Sequence, residues 1–189
     1  MRGILCCSLI FVLCAAVAFT GSNARAAQAT IENIIITNSD KDLLVYFLVR
    51  GSFTEDMRRA ILKGVPTTFR YRVELYKKIS FYPDKKISSV TINRTIKYDT
   101  LRNDFTLEMG TGDGPPITVK EFFKARELLT EVNALKLAKL DQLEPDRTYY
   151  VRIKAELNKV RLPFYLHYVF FFVSLWDFET DWHVVYFTY

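Results

Sequence analysis

Thr68-Phe69-Arg70-Tyr71-Arg72-Val73-Glu74-Leu75-Tyr76-Lys77-Lys78-Ile79 is the stretch whose reading decides the fold. Successive side chains of an extended chain point to opposite faces, so Phe69, Tyr71, Val73 and Leu75 share one side and Arg70, Arg72, Glu74 and Tyr76 the other. One apolar face and one polar face mark a half-buried antiparallel strand. Val90, Ile92 and Ile96 belong to a second alternating strand that ends near Tyr98, and Tyr82-Pro83-Asp84 supplies turn chemistry between the two. The pattern predicts a long hairpin.

Toward the N-terminus, Ile31 to Thr37 and Asp42 to Val49 are β-branched and apolar runs separated by Asn38-Ser39-Asp40-Lys41, which reads as an opening hairpin. Thr54-Glu55-Asp56, with Met57, Ala60 and Ile61 at helical spacing and Gly64-Val65-Pro66 as a stop, predicts a short amphipathic helix. Toward the C-terminus, Phe105 to Met109 adds a strand before the glycine- and proline-rich connection from Gly110 to Pro116. Thr118 and Glu121 stand at capping-box spacing and open a predicted helix carrying Phe122, Ala125, Leu129 and Val132. A turn at Glu144-Pro145-Asp146 leads into another alternating strand, with Tyr149, Val151, Ile153, Ala155 and Leu157 on its apolar side. Phe164 to Trp176 is the most apolar part, and its 13 residues are too few to cross a bilayer as a helix, so it is expected to be buried. The expected class is α+β, mostly antiparallel β-sheet of sandwich-like form, with two helices.

The start of the chain carries a different signal. Arg2 precedes an uncharged apolar run of 16 residues, Ile4 to Phe19, followed by Ala24-Arg25-Ala26 with small residues where a signal peptidase reads. This predicts a signal peptide over residues 1–26, with cleavage after Ala26 or, as the next candidate, Ala29, and a single exported domain over 27–189. Localisation outside the cytoplasm follows, most naturally the periplasm. Cys6, Cys7 and Cys14, all the cysteines of the chain, leave with that segment, so the domain uses neither disulfides nor thiolates. Loss of Arg2 and Arg25 lowers the net charge from +5 to +3, too mild a surplus to imply nucleic acid.

The order of Gly64-Val65-Pro66, Tyr150-Val151-Arg152 leading through Leu157 to Leu162-Pro163, and Ser174-Leu175-Trp176-Asp177-Phe178-Glu179-Thr180-Asp181-Trp182 resembles DUF4390, a family of exported bacterial proteins. The resemblance spans nearly all of the domain. It implies an envelope setting and a signalling-accessory role, and it carries no catalytic or binding residues to this chain.

Two constellations bear on chemistry. If residues 177 to 183 are extended, Asp177, Glu179, Asp181 and His183 share one face, a set of hard ligands suited to calcium or magnesium; the competing reading is a solvated strand face, since residues two apart stand about 7 Å from each other. Lys77, Lys78, Lys85 and Lys86 surround Phe81 and Tyr82 at the tip of the long hairpin, a cationic and aromatic group that suits a membrane or partner surface. His167 and His183 are the only imidazoles and no nucleophile elbow is present, which disfavours hydrolytic catalysis. The expectation is a non-enzymatic binding or signalling-accessory domain of the envelope, without a cofactor, whose partner is an envelope protein or apolar ligand, with a peripheral membrane contact in reserve. The competing class is a metal-dependent hydrolase using the Asp177 to His183 face.

Overall fold

In a computed structural model, residues 29–110, 114–158 and 179–189 are described. The predicted signal peptide, the middle of the glycine-rich connection, the Phe164 to Trp176 run and Asp177 lie outside the described residues.

In chain order the elements are β1 (Thr30–Asn38), β2 (Asp42–Arg50), α1 (Glu55–Leu62), β3 (Thr67–Lys77), β4 (Lys85–Asp99), β5 (Asp104–Gly110), β6 (Ile117–Val119), α2 (Phe122–Thr130), β7 (Glu131–Lys139), a 3-10 turn at Leu140–Gln142, β8 (Thr148–Asn158) and β9 (His183–Thr188). Every strand pairing is antiparallel. Among the described residues β1-β2-β7 form one sheet and β6-β5-β4-β3-β8-β9 the other, with two helices beside them, an α+β arrangement on an antiparallel framework.

The alternation from Thr68 to Leu75 sets the sidedness of the larger sheet. Phe69, Tyr71, Val73 and Leu75 of β3 are fully buried, as are Tyr149, Val151, Ile153 and Ala155 of β8. They meet Val45, Phe47 and Val49 of β2 and Val132 and Leu137 of β7 in one hydrophobic core. The Phe47 and Tyr71 rings touch edge to face with centroids 5.9 Å apart. Two sheets bound face to face through their apolar sides follow directly from strands that are polar on one side only.

α1 begins as predicted. Thr54 Oγ1 accepts from the Met57 N–H at 3.2 Å, Glu55 and Asp56 stand in the first turn, and Met57, Ala60 and Ile61 are buried. Gly64, at φ +85°, ends it in the left-handed conformation that glycine adopts without penalty.

The second helix departs from expectation at both ends. Thr118 does not cap it: Thr118 pairs with Thr106 between β6 and β5, and Glu121 occupies the cap position without a side-chain hydrogen bond. Val132 is not helical either, because the chain passes straight from Thr130 into β7. At that junction Arg94, an inward position of β4 that is 8% exposed, donates through Nη1 to the carbonyls of Leu128, Leu129 and Glu131 at 2.9, 3.1 and 2.5 Å. Tyr71 Oη also donates to Leu129 O, at 2.8 Å. Helix-terminal carbonyls lack intrahelical partners, and these donors supply them from the neighbouring sheet.

Candidate functional site

The polar faces of β4, β3, β8 and β9 line up because the register places Glu74 opposite Arg152, Tyr76 opposite Tyr150, and Tyr150 opposite Tyr186. On this outer surface cations and rings interleave. The Arg152 guanidinium lies 4.7 Å from the Tyr76 ring and 4.4 Å from that of Trp182. Arg72 and Lys154 approach the same indole at 5.6 and 5.8 Å. Tyr76 stacks on Tyr150 with centroids 5.2 Å apart and planes 4° from parallel, and Tyr150 continues to Tyr186 at 5.3 Å. The arrangement is a continuous ladder of rings held between positive groups, each cation drawn to the negative face of a ring.

Acids on this surface are already engaged. Glu74 accepts from Lys86 at 2.8 Å, Arg152 at 2.5 Å and Tyr76 at 3.2 Å. Its burial opposes ionisation, but the hydrogen bonds from Lys86 and Arg152 outweigh that and hold the carboxyl below its ordinary range. Glu156 faces Arg70 at 3.5 Å and Arg72 at 2.8 Å. Glu179 bridges to Glu156 through the backbone and its carboxylate takes Lys154. Five cations thus stand among three carboxylates, and the Arg72 Nε–H is buried without a partner. The surface carries two more positive than negative charges, which favours the approach of a negatively charged group.

The described part of the row, Glu179 to His183, is distributed by this register. Glu179 reaches the outer face through Lys154, whereas His183 stands opposite Ile153, whose side chain faces the core. Asp181 contributes its carbonyl, 3.4 Å from His183 Nδ1. Among the described residues no three acids or imidazoles come together as ligands for a metal ion.

At the hairpin tip the six predicted residues divide. Lys86 is tied to Glu74 and Lys77 to Glu144. Lys78 Nζ lies 5.5 Å from the Tyr186 ring. Lys85 stands opposite Lys77 in the register. Phe81 and Tyr82 are exposed. Asp84 organises the turn, accepting from the Ile79 N–H at 3.0 Å and from Tyr150 Oη at 3.1 Å. Burial, and then this bond to Asp84, push the Tyr150 phenol up to about 12.

An open groove of about 520 Å³ lies between the end of β2 and α2, with Phe53 and Phe123 on its walls. Its charges balance: Arg50 pairs with Glu32, and Glu127 with Lys124.

Sequence marks Trp182 as the end of an aromatic-rich stretch, Phe164 to Trp182, expected to meet a partner, but not its place between Arg152 and Arg72. The signal that points to it is the polar face of Tyr150-Arg152-Lys154, which needs a neighbour once β8 is not an edge. A family model described as a domain of unknown function, DUF4390, matches residues 26–185. No curated protein and no solved structure matches the chain.

Proposed function

Since the chain belongs to the DUF4390 family, whose description assigns no activity, we propose that it is a non-enzymatic binding domain of the cell envelope that recognises a carboxylate-rich surface of a partner protein. The observation that carries this is Arg152 clasped between the Tyr76 and Trp182 rings, with Arg72 and Lys154 beside the same indole. Clamped guanidinium groups lose little side-chain freedom on binding and present planar donors that match a carboxylate. Export is part of the proposal: residues 1–26 are removed and 27–189 act as one domain in the periplasm. Ala29 supports the earlier of the two cleavage points, because it is 5% exposed and packed at the start of β1, where a cut after it would strip a core contact.

The test uses Trp182 as its own reporter. Fluorescence titration with glutamate- and aspartate-rich peptides should give a saturable change that weakens as salt rises, while neutral peptides of equal length give none. Arg72→Gln, which leaves Glu156 its contact with Arg70, should weaken the acidic peptide about tenfold, the worth of one hydrogen bond to a charged group. Equal responses to acidic and neutral peptides would remove the proposal.

A further inference from the structure

The apex of the β3–β4 hairpin has features that the outer sheet face does not use. Phe81 is 103% exposed and Tyr82 is 75% exposed, two adjacent rings with no protein surface against them. Phe81 also holds φ at +66°, a left-handed conformation that a bulky side chain adopts only when its surroundings impose it. Asp84 fixes the turn through Ile79 N–H and Tyr150 Oη, and the Lys78 N–H donates to Thr148 O at 2.9 Å, anchoring the base of the loop to the next strand. The rings are therefore held out by a braced turn.

The charges around the apex are one-sided. Both carboxylate oxygens of Asp84 are occupied, one by the Ile79 N–H of the turn and one by Tyr150 Oη of β8, and Glu144 is taken by Lys77. Among the described residues neither Lys78 nor Lys85 forms a salt bridge, although Lys85 adds its charge to those that lower the Glu144 pKa. An apex of two rings cannot supply the roughly 800 Å² per partner that a stable protein interface buries, whereas a bilayer closes around a protruding tip from all sides. Phenyl and phenol rings suit the boundary between acyl chains and headgroups, and lysines at the base would meet anionic headgroups.

We propose that this apex is a membrane-anchoring wedge, with Phe81 and Tyr82 entering the interfacial layer of an anionic bilayer and Lys78 and Lys85 holding its phosphates. The wedge adjoins the carboxylate-binding face where Lys78 meets Tyr186 and Asp84 meets Tyr150, but it uses none of Arg72, Arg152 and Lys154.

Phe81→Trp in the domain of residues 27–189, freed of the apolar run from Ile4 to Phe19, tests this, because the exposed position tolerates the larger ring and the new indole reports its own depth. The unsubstituted chain, run alongside, subtracts Trp176 and Trp182. On phosphatidylcholine vesicles carrying about one-third phosphatidylglycerol, the emission should shift to the blue and be quenched by lipids brominated in their tails. On phosphatidylcholine alone it should stay that of an indole in water. Adding Lys78→Gln and Lys85→Gln should lower the partition onto anionic vesicles about twenty-five-fold, at about fivefold for each charge. A water-like emission on anionic vesicles overturns the proposal, and so does equal insertion into both vesicles or an unchanged partition of the lysine variant. None of these outcomes bears on the peptide titration.

Discussion

Arg94 is expected to be the most costly charged residue to remove, and its partner Tyr71 gives the measurement a sharp form. Arg94→Met takes a donor from three carbonyls, of which Leu129 O keeps the Tyr71 hydroxyl. Leu128 O and Glu131 O lose theirs. These two groups are part-buried, so the roughly 1–3 kcal/mol for a buried group left without a partner bounds the loss at about 2–6 kcal/mol. Part of it is returned, because burial already disfavours the guanidinium ion, as the lowered Arg94 pKa reflects, and methionine fills the same space with apolar atoms. A net cost of about 3 kcal/mol follows. Tyr71→Phe keeps the ring contact with Phe47 and removes only the second donor to Leu129 O, a cost of about 1 kcal/mol. Each single variant thus leaves that carbonyl one donor and the double variant leaves none, so the double should exceed the sum by about 1–3 kcal/mol. Urea unfolding reads this directly: with a slope near 2 kcal/mol per M, Arg94→Met shifts the midpoint by about 1.5 M. Additivity within about 0.5 kcal/mol would refute the shared-carbonyl reasoning.

Asp84→Ala should release the Tyr150 phenol from about 12 toward its ordinary value of 10.0, stopping short because burial is the larger cause, and should speed hydrogen exchange at the Ile79 amide. Tyrosine carbon-13 titration by NMR follows the first effect, and a phenol still at about 12 would show that Asp84 does not hold it. The pKa of Asp42 is lowered, first by its hydrogen bond from Lys139 at 2.9 Å and then, beyond the opposing effect of burial, by the charges of Lys139 and Lys136. A carboxyl depressed on folding adds stability above its unfolded value and loses it as pH falls through the folded one. Thermal midpoints should therefore drop below pH about 4, and Asp42→Asn should flatten part of that decline. An unchanged acid limb would count against the pair.

What could be read from sequence followed from solvent. β3 and β8 each have one face in the core and one outside, so their period of two is clean, and the long hairpin and its turn emerge from that alternation. The outer face was legible as polar, but not as an organised surface, because pairing β9 beside β8 is a long-range choice that no local pattern contains. Trp182 meets Arg152 only through that register.

β7 shows how a strand can imitate a helix. Its buried residues are Val132, Leu135 and Leu137, spaced three and then two apart, and the first interval continues the helical rhythm of Ala125 and Leu129. The interval of three arises from a bulge: Val45 pairs with Leu135 and Phe47 with Val132, so one residue of β2 faces two of β7, with Ala134 at φ +51°. β1 carries a matching irregularity on the other side of β2, between Glu32 and Ile35, with Asn33 at φ +52°. Bulges increase local twist and bend a strand. Here they flank Phe47, the residue whose ring meets Tyr71 across the core. The same bend brings the start of β7 over β4, where Arg94 reaches the last carbonyls of α2. A buried arginine between Ile92 and Ile96, in the inward phase of an alternating strand, is the one local sign of this junction: a charge in that phase requires acceptors nearby, and an exposed helix end cannot provide them.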